Sequence, residues 1–227
     1  MSPQGGDRTE RIAIIGGTGA LGGGLALRFA RAGLSVIIGS RDPARGNAAA
    51  TELAASTGCN EVRGMGNIDA ARDGEIVIVA VPFQNQRTTL QEIAEAVAGK
   101  IVVDTTVPLV PPKVARVQLP KEGSAANVAK LLLGDRANLL TAFHNVSAEK
   151  LPHDEPIDCD ILVFGDDVSA REKLIGLIGL IGLRGVHGGP LDNSVAAEAL
   201  TSTLIGINKR YKVEGGAGIR VTGDLRS

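Results

Sequence analysis

The stretch from Ile12 to Arg41 constrains this chain more than any other. It runs Ile12-Ala13-Ile14-Ile15, a glycine turn from Gly16 to Gly22, an amphipathic segment from Gly23 to Arg31, and Val36-Ile37-Ile38-Gly39-Ser40-Arg41. Leu21, Leu25 and Phe29 recur at helical spacing, and Gly33 supplies a helix-ending left-handed residue before the next apolar run. The pattern predicts strand, turn, helix, strand, with the helix over 23–31. Gly17, Gly19 and Gly22 satisfy G-x-G-x-x-G, whose glycines give the tight turn, the approach of a pyrophosphate to the backbone and the contact of helix with strand. The turn, Gly17-Thr18-Gly19-Ala20-Leu21-Gly22, is therefore expected to hold dinucleotide phosphates on free N–H groups at the positive end of the helix. No Lys-Ser or Lys-Thr follows the glycines, which excludes a Walker A loop.

The end of the second strand selects the cofactor. An NAD enzyme places Asp or Glu there for the ribose 2′-OH, whereas an NADP enzyme offers arginine and hydroxyls to a 2′-phosphate. Here the strand ends in Ser40-Arg41, and Arg45 follows one helical turn later. Asp42-Pro43 reads as a helix N-cap with proline at the first helical position, which accounts for both residues. Thr18, Ser40, Arg41 and Arg45 thus favour NADP, because charge-assisted bonds to phosphate are the strong ones.

The 227 residues allow one large domain or two small ones. A formal net charge of −1, no Trp and the lone tyrosine Tyr211 give no reason to expect nucleic acid or a membrane surface. Cys59 and Cys159 lie in no metal or redox spacing, so a reduced, cytoplasmic protein is expected, with no metal. Met1 to Glu10 reads as a frayed polar tail. Leu174 to Leu183, with Ile-Gly-Leu three times, is too short to span a membrane and reads as a buried helix whose Gly176, Gly179 and Gly182 admit a neighbouring backbone.

Further along, the pattern predicts a helix over 43–57, a strand near 61–65, and the continuous apolar strand Glu75 to Val81, suited to burial on both faces of a parallel sheet. Val81, Pro82 and Phe83 at its end face the expected ligand crevice. A helix over 86–97 and the strand Ile101 to Asp104 complete a nucleotide-binding part, taken as 11–107. A proline-rich connection over 105–121 leads into a smaller part, 108–227. That part carries helices near 124–133, 168–181 and 194–211, with strands over 138–143, 160–165 and near 183–187. No linker separates the two, so one extended sheet is expected: an α/β, Rossmann-type, doubly wound parallel sheet with a smaller C-terminal α/β extension.

Acid/base candidates are few. Tyr211 lacks the lysine four residues on that a short-chain dehydrogenase needs. His144, placed at a strand end, is the best histidine, ahead of His187 and His153. Such scarcity suits hydride transfer between two conjugated rings, which needs alignment more than proton relay.

Beside the glycine turn, Gly39-Ser40-Arg41, Ala142-Phe143-His144-Asn145, Phe164-Gly165-Asp166-Asp167, Gly189-Pro190-Leu191-Asp192-Asn193-Ser194 and Gly216-Ala217-Gly218-Ile219 follow in order. In these motifs, from about Ile12 to Leu225, the chain resembles the NADPH-dependent reductases of coenzyme F420, also called F420H2:NADP oxidoreductases. The resemblance implies reversible hydride transfer between C5 of the deazaflavin and C4 of the nicotinamide of NADP. It also implies a homodimer, and a deazaflavin pocket that includes His144, acting by position, Asn145, Val146 and the turn of Pro190, Leu191, Asn193 and Ser194. Two other readings keep the fold: an NADPH-dependent flavin, ferric, carbonyl or imine reductase, and a non-catalytic NADP-sensing module.

Overall fold

A computed structural model describes residues 10–225. The tail over 1–9, like the last two residues, lies outside the described residues. The strands are β1 (Arg11–Ile15), β2 (Ser35–Ser40), β3 (Val62–Gly66), β4 (Ile76–Val79), β5 (Ile101–Asp104), β6 (Asn138–Thr141), β7 (Asp160–Gly165) and β8 (Arg184–Gly189). They form one sheet in the order β3-β2-β1-β4-β5-β6-β7-β8, parallel throughout except for the antiparallel β6–β7 pair. The helices are α1 (Ala20–Arg31), α2 (Pro43–Thr57), α3 (Asn67–Asp73), α4 (Phe83–Ile93), α5 (Ala125–Leu133), α6 (Val168–Leu180) and α7 (Ser194–Tyr211).

Alternation along β1 shows why the sheet is covered on both faces. Ile12 and Ile14 enter one core with Leu25 and Phe29 of α1 and Leu174 and Ile178 of α6. Ala13 and Ile15 enter another with Ala70 of α3, Leu90 of α4 and Ala129 of α5. With side chains pointing to opposite faces in turn, a strand buried on both faces must be apolar at every position. The chain leaves β1 toward β2 and returns to add β4 on its other side, so a crevice opens at the carboxyl ends of β1 and β4.

Several elements differ from the sequence reading. Helix α1 starts at Ala20, three residues early, because the glycine turn itself becomes its first turn. Helix α3 was not expected: it is seven residues long, and its buried side are the small residues Ala70 and Ala71, which leave little periodic signal. Strand β4 stops at Val79, and α4 starts at Phe83 and ends at Ile93. The Ile-Gly-Leu run is not a wholly buried helix: α6 ends at Leu180, Leu180 is 61% exposed, and a Cβ on Gly176 or Gly179 would meet nothing within 4 Å. Among the described residues no neighbouring backbone approaches these two glycines. Gly182 instead takes φ +75° where the chain leaves the helix.

Candidate functional site

The glycine turn is built by contacts that exclude side chains. Gly16 has φ +82°, and a Cβ there would lie 2.5 Å from the Ala80 carbonyl oxygen and 3.0 Å from Val81 Cγ1. At Gly22 a Cβ would lie 2.5 Å from the Gly16 oxygen, and at Gly17 2.9 Å from the Ile14 oxygen. Both Gly16 N and Gly17 N donate to the Gly39 carbonyl, at 3.1 and 3.2 Å, which pins the turn to β2. Gly19, the N-cap of α1, offers no side-chain cap, and the first turn holds no acidic residue. The helix therefore presents unspent N–H groups and its positive end to the crevice, an arrangement that fits an anion. Of the four turn glycines, Gly16 carries the left-handed conformation, although it lies outside the G-x-G-x-x-G spacing.

At the end of β2, Ser40 is buried and its Oγ accepts from Asp42 N at 3.2 Å. Asp42 Oδ1 accepts from Ala44 N at 3.0 Å, so its carboxylate is occupied capping α2. Arg41 and Arg45 are exposed, and among the described residues neither guanidinium has an ion-pair or side-chain hydrogen-bond partner. On the β4 side, Val81 abuts Gly16, while Pro82 is the N-cap of α4 and Phe83 its first residue. Thus Gly17 to Gly22 and Val81 to Phe83 flank the crevice, and Ser40 and Arg41 stand at the end of the adjoining strand.

The second group of expected residues lies beyond β6. His144 is not at a strand end: β6 stops at Thr141, and a turn follows in which Phe143 takes φ +66°. A buried, bulky residue in the left-handed region is a strained feature of the kind that clusters at functional sites. His144 is 6% exposed, and its Nε2 is buried with no hydrogen-bond partner among the described residues. Its ring stands 6.3 Å from that of Phe164. Burial pushes its pKa down to about 4, so the imidazole is neutral at pH 7. His187 and His153 are exposed. Asn145 Nδ2 donates to the Ala197 carbonyl at 2.9 Å and Thr201 Oγ1 at 3.1 Å, and Thr201 Oγ1 donates to the His144 carbonyl at 2.9 Å. The turn carrying His144, Asn145 and the buried Val146 is thereby docked on α7.

The 190–194 turn splits into anchors and exposed residues. Leu191 is 2% exposed and Ser194 0%, while Pro190, Asp192 and Asn193 face solvent. Ser194 Oγ accepts from Thr141 Oγ1 at 2.7 Å and donates to Glu198 Oε1 at 3.0 Å. Sequence reasoning missed this buried polar framework. Glu198 also accepts from Ala125 N and Ala126 N at 2.6 and 3.0 Å. Asp104 accepts from Thr106 Oγ1, Thr106 N and Gln86 Nε2 at 2.5, 3.0 and 2.5 Å. Burial raises the pKa of both carboxyls. Only the i, i+4 spacing of Ser194 and Glu198 was visible in sequence; their partners from β6 and α5 are tertiary.

A doubly wound sheet, a side-chain-free helix N-terminus at its switch point and a cationic β2 end define a dinucleotide-binding protein of the Rossmann class. The comparisons agree. Residues 11–108 match the family model described as NADP oxidoreductase, coenzyme F420-dependent. The F420-dependent NADP reductase of Methanocaldococcus jannaschii is 39% identical, over 93% of this chain and 98% of the relative. That of Methanothermobacter thermautotrophicus is 41% identical, over 93% and 94%. The chain belongs to the F420-dependent NADP reductase family. Its fold is also that of a proposed F420-dependent NADP reductase from Arthrobacter sp. FB24, with a TM-score of 0.77 at 23% identity over 93% of this chain and 99% of that one. An imine reductase from Myxococcus stipitatus superimposes with a TM-score of 0.62 at 18% identity, over 91% and 62%. Among the described residues no helix is long and apolar enough to cross a membrane.

Proposed function

We propose that the protein transfers a hydride reversibly between the nicotinamide C4 of NADP(H) and C5 of the deazaflavin coenzyme F420, as a cytoplasmic homodimer. The observation that carries this reading is the identity to F420-dependent NADP reductases over 93% of the chain, well beyond the nucleotide-binding part. When bound, the two cofactors supply the hydride donor and acceptor. The chain holds them and keeps water out.

In this reading residues 11–107 bind NADP. Free N–H groups of Thr18, Ala20, Leu21 and Gly22 receive the pyrophosphate, with Gly17 and Gly19 allowing its approach, and Val81, Pro82 and Phe83 border the same crevice. Ser40, Arg41, Arg45 and Thr18 hold the 2′-phosphate, which the unpaired guanidinium groups and the occupied Asp42 carboxylate support. Residues 108–227 hold the deazaflavin, with His144, Asn145, Val146 and the turn of Pro190, Leu191, Asn193 and Ser194 as its pocket. In that turn Pro190 and Asn193 are the exposed members, while buried Leu191 and Ser194 serve as its supports. A neutral, buried His144 suits a positional role, since a group with pKa about 4 carries almost no proton to donate at neutral pH.

The test mixes NADPH with the purified protein and follows nicotinamide absorbance on adding oxidised F420, FMN or ferric salt in separate reactions. Rapid loss with F420 alone supports the reading. Oxidation by FMN or ferric salt but not by F420 favours the flavin or ferric reductase, and binding without oxidation by any acceptor favours an NADP sensor.

A further inference from the structure

Resting on the deazaflavin reading of the 190–194 turn, we infer that Asp166 is a positioning residue for F420, acting through its hold on the Leu191 amide. The turn joins β8 to α7 and is closed by its own bonds, Asn193 N and Nδ2 donating to the Pro190 and Gly188 carbonyls at 3.0 and 3.2 Å, so what grips it from outside sets its position. At its far end Ser194 is locked between Thr141 and Glu198. At its near end Leu191 N donates to Asp166 Oδ1 at 3.0 Å. Asp166 directly follows β7, so the turn is referred to the rigid sheet rather than to another loop. Leu191, at 2% exposure, inserts its side chain into the core shared by α4 and α5. Pro190 and Asn193 lie on either side of that insertion, so fixing the Leu191 backbone fixes where these exposed residues stand.

A carboxylate suits the task because it only accepts, and its bond to a backbone N–H is charge-assisted. The Leu191 amide is the foremost reason the Asp166 carboxyl is held below the usual carboxylate range, ahead of Lys130. Lys130 Nζ reaches Asp166 Oδ2 at 3.1 Å with both side chains more than half exposed. An ion pair that open to water contributes little. The function of Asp166 therefore lies in the amide bond and not in the salt bridge, and this separates the two chemically.

Four proteins test it: unaltered, Asp166→Ala, Asp166→Asn and Lys130→Met. Steady-state kinetics with F420, calorimetric titration with NADPH and hydrogen exchange of the Leu191 amide are read on each. Asp166→Ala is expected to raise the KM for F420 about threefold to tenfold, leave NADPH affinity unchanged and speed Leu191 exchange. Asp166→Asn, whose amide oxygen still accepts, restores most of the loss, and Lys130→Met behaves as the unaltered protein. Equal effects of Lys130→Met and Asp166→Ala, a parallel fall in NADPH affinity, or unchanged KM and exchange in Asp166→Ala would each overturn the inference. If the unaltered protein fails to reduce F420, the function reading falls with it, while Leu191 exchange still reports whether Asp166 anchors the turn.

Discussion

Gly19 and Gly22 share one turn but face different neighbours, and this makes them separable probes. A Cβ at Gly22 would collide with backbone at 2.5 Å, whereas one at Gly19 meets only the Gly16 oxygen at 3.3 Å. Gly19→Val is therefore expected to keep its circular dichroism and lose calorimetric NADP binding, because the added bulk occupies the phosphate approach. Gly22→Val is expected to lower Tm. Tight NADP binding by Gly19→Val would show that the pyrophosphate lies elsewhere. His144 gives the second prediction at this scale. Its folded pKa of about 4 lies below the unfolded value of 6.5. Above pH 6.5 the ring is neutral in both states and its contribution is complete. As pH falls from 6.5 toward 4 the unfolded chain takes up the proton first, and stability declines by up to roughly 3 kcal/mol. Buried Asp104 and Glu198, whose pKa values are raised, change with pH in the opposite sense. The measurement is thus the difference in urea unfolding between His144→Gln and unaltered protein across this window. A constant difference would refute the assigned shift.

At the scale of elements, the β2–α2 junction separates a cap from a specificity determinant within two residues. Asp42 caps α2 through Ala44 N, and its loss is expected to cost about 1 kcal/mol of stability with the preference for NADPH over NADH intact. Arg41, with no side-chain partner among the described residues, is expected to do the reverse: Arg41→Ala leaves Tm unchanged and reduces that preference roughly ten- to a hundredfold. Paired thermal melts and NADPH and NADH titrations decide the matter, and a large loss of NADH affinity in Asp42→Ala, with NADPH affinity kept, would assign the ribose hydroxyl to the acid instead. The cap was legible because Asp-Pro carries it locally. Helix α3 was not, since Ala70 and Ala71 are buried only where a tertiary surface happens to receive small residues. The same reason misled the reading of α6, where glycines spaced for a close approach find open space.

The whole molecule is organised by one sheet that crosses the boundary between its two parts. Parallel β5–β6 pairing joins Ile101–Asp104 to Asn138–Thr141, and a single core holds Ile14 and Val103 together with Leu140, Leu174 and Ile178. The chain end is tied in as well. Asp160, fully buried, receives two bonds from Arg184 at 2.7 and 2.5 Å and one from Val221 N at 2.6 Å, while Asp160 N donates to the Ile219 carbonyl. Shared strands and core leave neither part a surface of its own to unfold from, so calorimetry at low protein concentration is expected to show one transition. Two resolved transitions, one spared by bound NADP, would show independent parts.

By itself the sequence determined the βαβ unit from Ile12 to Arg41 and, apart from α3, the order of the elements after it. Glycine turns, caps and two-sided apolar strands are local patterns, and the βαβ unit from Ile12 to Arg41 needs only neighbours in the chain. Tertiary structure alone decided which groups meet. The burial of Phe143, the neutral His144 ring beside Phe164, the Thr141–Ser194–Glu198 chain and the Asp166–Leu191 bond each depend on segments distant in sequence. Their protonation and geometry follow from burial, which no short-range pattern encodes.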